Sequence, residues 1–180
     1  MGKRIQEELL TLPKKIEKII SQNDKIKQIA EKYYQFNNFI YLGRKYNQPV
    51  AAEGALKLKE ISYIHTEGLP AGEMKHGTIS LIDQNFPCLC LAPLDSVYEK
   101  NVSNIEEIKA RGGRIITVTT DGNEKLDKLA NDIIFIPKTL EMLTPILSVI
   151  PLQLFAYHIA ALRGCDIDKP RNLAKSVTVE

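Results

Sequence analysis

Short, nearly uninterrupted apolar runs recur along the chain and are separated by longer segments with helical periodicity. Four runs have this character: residues 39–43, 87–93, 114–120 and 132–137. Runs of this length, rich in Val and Ile, are typical of strands that are covered on both faces. Helical segments follow these runs at residues 49–66, 96–113, 124–130 and about 141–163. The repeated order of strand and helix predicts a parallel sheet with helices on both faces, which is an α/β fold.

The first 36 residues have helical periodicity, with Pro13 at a tolerated first-turn position of one helix and Asn23 or Asp24 as the cap of a second. The end of the chain is polar but carries a short apolar alternation that could dock on the body of the domain. We therefore predict three parts: N-terminal helices over 1–36, the domain core over 37–165 and a C-terminal tail over 166–180.

The composition fits one domain of ordinary size, with 180 residues, 44% of them hydrophobic, and a net charge of +2. Acidic and basic residues are interspersed, so we expect neither nucleic acid nor a membrane as a partner. Cys88 and Cys90 alternate within a predicted strand, and Cys165 stands apart from them. An odd number of cysteines without metal-binding spacing indicates reduced core thiols in a cytoplasmic protein.

One apolar segment, residues 142–162, runs for 21 residues without a formal charge and is long enough to span a bilayer. Four residues within it argue against a membrane helix: Pro145, Pro151, Gln153 and His158. We expect this segment to be a helix buried in the α/β domain or at a dimer interface.

Three charged residues share one face of the helix predicted over residues 49–66. Glu53, Lys57 and Glu60 fall within about 60° of one another on the helical wheel. Apolar residues flank this face: Leu56, Ile61, Tyr63 and Ile64. The opposite side is expected to face solvent, with Ala55, Lys59, Ser62 and Thr66. Two interpretations remain open. The charges form an ordinary surface pair, or they serve a site, because carboxylates in an apolar stripe must be paired, shifted in pKa or used.

His76 lies in the connection of residues 68–83, which is rich in glycine and also carries Glu73 and Lys75. An imidazole with an ordinary pKa of about 6.5 can transfer protons near neutral pH. The alternative is an exposed histidine without a chemical role. His65 and His158 are interpreted as structural. Three histidines this dispersed do not have metal-binding spacing, so we expect no metal site.

Lys57 and Lys175 are candidates for carbonyl chemistry, because a lysine whose pKa is lowered becomes a nucleophilic amine. The alternative for both is a solvated surface charge. The sequence contains no Walker loop, dinucleotide fingerprint or Ser-His-Asp order. Nucleotide binding is therefore unsupported, and we predict no cofactor.

Four motifs together resemble the C-terminal half of the isomerase part of glutamine:fructose-6-phosphate amidotransferases, also called glucosamine-6-phosphate synthases. The motifs are EGALKLKEISYIHTE, GEMKHGTISLID, IPLQLFAYHIA and KPRNLAKSVTVE. The resemblance covers the chain from about Leu12 to Glu180. It implies a three-layer α/β/α sugar isomerase (SIS) domain with a parallel sheet. It also implies synthesis of glucosamine 6-phosphate from fructose 6-phosphate and ammonia that is released from glutamine.

The resemblance also implies roles for particular residues. Glu60 would move a proton between C1 and C2 of the sugar, with Glu53 and Lys57 binding substrate from the same helix face. His76 would assist opening of the sugar ring and would reach in from the neighbouring subunit of a homodimer. Lys175 would meet the C2 carbonyl, and the tail would fold over the substrate.

Two parts of such an enzyme are not found in this sequence: the glutaminase domain with its N-terminal cysteine, and the Ser/Thr-rich phosphate loop of the first SIS half. We therefore expect a fragment or one subunit of a two-chain enzyme, with little or no synthase activity alone. The alternatives are another SIS-family reaction, by a deglycase or a ketose-aldose isomerase, and a non-catalytic sugar-phosphate-binding module.

Overall fold

The computed structural model of the protein describes residues 2–173. Within them, five parallel strands form one sheet in the order β2-β1-β3-β4-β5. The strands are β1 (Asn38–Gly43), β2 (His65–Pro70), β3 (Cys88–Leu91), β4 (Ile115–Thr120) and β5 (Asp132–Ile136). The α-helices are α1 (Gly2–Ile20), α2 (Asn23–Tyr33), α3 (Asn47–Ser62), α4 (Tyr98–Ala110) and α5 (Thr144–Leu162). Short 3-10 helices lie at Glu73–His76, Thr78–Leu81, Glu124–Lys128 and Glu141–Leu143.

Side chains of the strands alternate between two core layers, because successive residues of a strand point to opposite faces of the sheet. Phe39 and Tyr41 of β1 belong to the core layer formed with α1, α2, α3 and α5. Ile40 and Leu42 belong to the layer formed with α4 and with Met74. Helices therefore cover both faces of the sheet, and the predicted three-layer α/β/α fold with a parallel sheet is confirmed.

The prediction of one helix over residues 49–66 is wrong at its C-terminal end. Helix α3 stops at Ser62, because Tyr63 takes the left-handed conformation (φ 60°, ψ 21°). The chain then forms β2, an edge strand that pairs with β1 over its whole length. Because β2 lies at the edge and has the polar sequence HTEGLP, it contains no apolar run that would predict a strand.

The predicted solvent side of α3 is also wrong. Of the four residues expected there, Ala55 and Ser62 are buried in α3 and Thr66 is buried in β2, whereas Lys59 is exposed. Small residues on this side let α3 pack closely on its neighbours. A Cβ added at Gly54, for example, would lie 2.5 Å from Cδ1 of Leu152 in α5. The buried side of this helix therefore combines small residues with the apolar Val50 and Leu58.

Helix α1 begins at Gly2 and passes through Pro13, so the prediction of Pro13 in a first helical turn is wrong. Pro13 lies on the exposed side of α1, where water can satisfy the carbonyl that loses its hydrogen bond. Leu12 and Ile19 on the other side are buried in the same core as α5. Helix α2 begins at Asn23, with Gln22 in the cap position.

Helix α5 with its preceding turn, Glu141–Leu162, is long and apolar enough to cross a membrane, but half of its most apolar stretch is buried inside the protein. A helix in a protein core can have the same length and hydropathy. Its His158 is buried, and Nε2 lies 2.8 Å from Oδ1 of Asn23, as expected of a structural histidine. Cys88 and Cys90 are free, buried thiols in β3, as predicted, whereas Cys165 is only partly buried.

Candidate functional site on helix α3

Helix α3 presents Glu53, Lys57 and Glu60 together on its outer side. The Nζ atom of Lys57 lies 2.6 Å from Oε2 of Glu60 and 3.7 Å from Oε1 of Glu53. The three side chains are 44%, 33% and 27% exposed in chain order. We call these residues the α3 triad. The helical wheel groups them correctly, and the structure joins them as one ammonium between two carboxylates.

The electrostatics of the triad keep Lys57 charged. The hydrogen bond to Glu60 raises the pKa of Lys57, and the charges of Glu60 and Glu53 raise it further against the opposing effect of burial. A protonated amine cannot act as a nucleophile. Lys57 is therefore suited to hold carboxylates or to bind an oxygen of a ligand, and it is not suited to carbonyl addition.

The start of the C-terminal tail packs on the end of α3 that carries Glu60. The backbone N–H of Arg171 donates to Oη of Tyr63 at 2.9 Å, and its guanidinium lies 4.1 Å from the centre of the Tyr63 ring. The Asp166 carboxylate accepts backbone N–H groups of Asp168 and Lys169, which closes the turn before this contact. The described start of the tail is therefore anchored at Tyr63, three residues after Glu60 in the sequence.

Lys175, the predicted carbonyl-binding residue, lies outside the described residues, as does most of the predicted tail closure. The covalent connection between Arg171 and Lys175 is four residues long and can span at most about 14 Å.

His76 lies at the end of the 3-10 helix Glu73–His76 and is exposed. Gly77 follows it with φ 145°, a conformation that L side chains rarely adopt, and ends the turn there. The structure does not bring His76 to Glu60 within one chain. Glu60 precedes β2 and His76 follows it, and a strand of six residues separates its two ends by about 17 Å.

A second polar cluster, which sequence reasoning missed, lies at the carboxyl ends of β1, β3 and β5. Nζ of Lys45 lies 2.6 Å from Oε1 of Glu141 and 2.7 Å from Oγ of Ser96. The Ser96 hydroxyl donates to the same carboxylate oxygen at 2.7 Å. An adjoining cavity of about 490 Å³ is lined by Arg4, Ile5, Lys45, Tyr46, Leu140, Glu141 and Met142.

This cluster could not be found from spacing, because its three members come from separate loops. One local signal exists: each loop directly follows a predicted strand, and ligands collect at the carboxyl ends of parallel strands. A further sign is visible only in the structure, where Lys45 has a positive φ of 49°.

The five-stranded parallel sheet between two helical layers defines a three-layer α/β/α class of domain, and comparison with known proteins identifies its family. A family model described as the SIS domain matches residues 32–163. The chain therefore belongs to the SIS domain family.

More specifically, the chain is similar to one kind of SIS protein. It is 56% identical over 173 residues, or 96% of its length, to glutamine–fructose-6-phosphate aminotransferase (isomerizing) of Chlorobaculum tepidum. It is 52% identical over 179 residues to the protein of the same name from Thermus thermophilus. The chain spans only 28% and 30% of the length of these relatives.

A solved structure gives the same result. The C-terminal domain of glucosamine-fructose-6-phosphate aminotransferase from Francisella tularensis matches with a TM-score of 0.84 and 36% identity. The match covers 91% of this chain and 46% of that one. The resemblance inferred from the four motifs is thus confirmed, and it places the chain in the C-terminal SIS half of such proteins.

Proposed function

We propose that this chain supplies the second SIS half of an enzyme that converts fructose 6-phosphate and glutamine-derived ammonia to glucosamine 6-phosphate. The observation that carries the proposal is the α3 triad, a carboxylate pair organised by one ammonium, in a domain similar to these aminotransferases over 96% of its length. The reaction needs a group that removes a proton from one sugar carbon and returns it to the next, and a positioned carboxylate can do both.

Glu60 is the catalytic base of this proposal. Its Oε2 accepts the hydrogen bond from Lys57, so Oε1 is the oxygen that takes the sugar proton. Lys57 remains an ammonium because its pKa is raised. Its hydrogen bond fixes the rotamer of Glu60, and Glu53 holds the Lys57 ammonium from the other side. Glu53 and Lys57 are therefore assigned to substrate binding and positioning, and Glu60 to proton transfer.

Lys175 is assigned to the C2 carbonyl, where ammonia is added. The contact of Arg171 with Tyr63 supports this assignment, because Tyr63 lies three residues after Glu60 and Arg171 lies four residues before Lys175. We propose that residues 166–180 close over the substrate from this anchor.

His76 is assigned to ring opening in a neighbouring subunit. Its exposure and its separation from Glu60 along β2 support a role outside its own chain. We therefore propose a homodimer in which each chain supplies His76 to the site of the other. The remaining parts of the enzyme are a first SIS half, which holds the phosphate, and a glutaminase domain. We place the enzyme in the cytoplasm.

Turnover of variants in the complete enzyme tests the proposal. We expect Glu60→Gln to reduce glucosamine 6-phosphate formation from fructose 6-phosphate by at least about 100-fold, with ammonium or glutamine as the nitrogen source. Lys59→Gln, an exposed change one residue away, is the matched control and should retain activity.

The product distinguishes the alternative functions. Sugar interconversion that is independent of ammonia would identify a ketose-aldose isomerase. Full activity in Glu60→Gln and Lys175→Ala would contradict a catalytic role and leave a binding module.

A further inference from the structure

The turn that carries His76 is held on two sides, and its last three side chains have different environments. A 3-10 helix has three residues per turn, so Met74, Lys75 and His76 point about 120° apart. Met74 is fully buried in the core layer beneath β1 and β3. Nζ of Lys75 lies 2.6 Å from Oε1 of Glu107 on α4. With two directions occupied, His76 points away from its own chain.

A second contact with α4 supports the start of the same turn. The guanidinium of Arg44 donates to Oδ1 of Asn104, with Nη2 at 2.8 Å. The same guanidinium lies against Gly72, where an added Cβ would be 3.3 Å from Nη1. Asn104 lies one helical turn before Glu107, so α4 braces the segment at two points.

Glu107 is the more buried partner of its ion pair. Its side chain is 26% exposed, against 57% for Lys75. Its second oxygen, Oε2, is buried and has no hydrogen-bond partner among the residues that the structure describes. Because one carboxylate oxygen is buried without a partner, the other oxygen's contact with Lys75 is the ion pair that holds this side chain, and it restricts where Lys75 can go.

From these contacts we infer that Glu107 is a positioning residue. By holding Lys75, it sets the rotation of the turn and thereby the direction in which the His76 imidazole leaves the chain. This inference rests on the proposed function, in which His76 acts on the sugar ring in a neighbouring subunit. Glu107 itself does not touch the substrate.

The test is the kinetics of Glu107→Gln in the complete enzyme. The control is Glu99→Gln, because Glu99 lies on the same helix and pairs with Lys125 at the same distance, 2.6 Å. We expect Glu107→Gln to lower kcat about tenfold, since small misplacements of a catalytic group cost large factors in rate. KM should stay within about twofold and the melting temperature should be unchanged, because the pair is partly exposed. Glu99→Gln should leave both kcat and KM unchanged.

The exchanged pair Lys75→Glu/Glu107→Lys should recover most of the lost kcat, which a general loss of stability would not allow. If Glu107→Gln fails to fold, Lys75→Met removes the same contact from its exposed end and should show the same loss of kcat. Suppose that Glu107→Gln or Lys75→Met folds and has a normal kcat while His76→Asn is inactive. This result would overturn the positioning role of Glu107 but leave the proposed role of His76 intact. A fully active His76→Asn would instead overturn the proposed role of His76, and this inference with it.

Discussion

Replacement of Gly68 in β2 by alanine tests how closely α3 packs on this strand. A Cβ added there would lie 2.4 Å from Cα and 2.7 Å from N of Ala52, which are backbone atoms of α3. Ordinary contacts of this kind are about 3.5–4.0 Å, so α3 and β2 must separate by roughly 1 Å. Helix α3 would therefore be displaced, and the α3 triad with it.

Overpacking of this kind costs about 1–3 kcal/mol, and the involvement of backbone on both sides places Gly68→Ala near the top of that range. For a domain of this size, about 3 kcal/mol corresponds to a fall in melting temperature of roughly 6–12 °C. Urea unfolding followed by circular dichroism measures the loss directly.

Gly72→Ala is the matched control, because its new Cβ would meet only the flexible end of Arg44, at 3.3 Å. We expect it to change the unfolding free energy by no more than about 0.5 kcal/mol. Equal stability of the Gly68 and Gly72 variants would refute the close packing of α3 on β2.

Three further substitutions test the roles of Lys57, Tyr63 and His158. Lys57→Met should lower kcat at least tenfold in the complete enzyme but cost no more than about 1 kcal/mol of stability, because its ion pairs are half-exposed. Tyr63→Phe removes the hydroxyl that binds the backbone of Arg171, so trypsin should cleave after Arg171 several-fold faster. Burial lowers the pKa of His158, so the unfolded state binds the proton more readily. Stability should therefore fall as the pH falls through about 6.5, and His158→Gln should weaken this dependence.

For each of these changes, a control variant or a contradicting result separates the specific effect from a general one. An equal loss of kcat in Lys59→Met would remove the special role of Lys57. Tyr157→Phe alters an exposed ring and should leave cleavage of the tail unchanged. An unchanged pH dependence of stability in the His158 variant would show that the buried imidazole does not account for it.

The strands with apolar runs could be predicted from sequence because their pattern reflects burial on both faces. Strand β2 could not be, since it lies at the sheet edge and its start depends on the left-handed turn at Tyr63. Tyr63 has no side-chain feature that favours this conformation, in contrast to glycine. The boundary of α3 is therefore set by tertiary contacts, including the packing of β2 on β1.

The α3 triad could be predicted because its members lie on one helix, where spacing alone determines their proximity. The burial of the opposite side could not, because the small residues Ala55 and Ser62 give little hydropathy signal and are buried by close packing. The cluster of Lys45, Ser96 and Glu141 could not be predicted from sequence, because its members come from three separate loops that only the folded sheet brings together.

In the proposed function, Glu60 moves the proton between C1 and C2 of the sugar. Exchange of the C1 hydrogen of fructose 6-phosphate with deuterated water, followed by NMR in the complete enzyme, measures this step without the amination. We predict that Glu60→Gln still binds fructose 6-phosphate but loses exchange by at least about 100-fold. Exchange at the unmodified rate in Glu60→Gln would show that Glu60 is not the base that moves this proton.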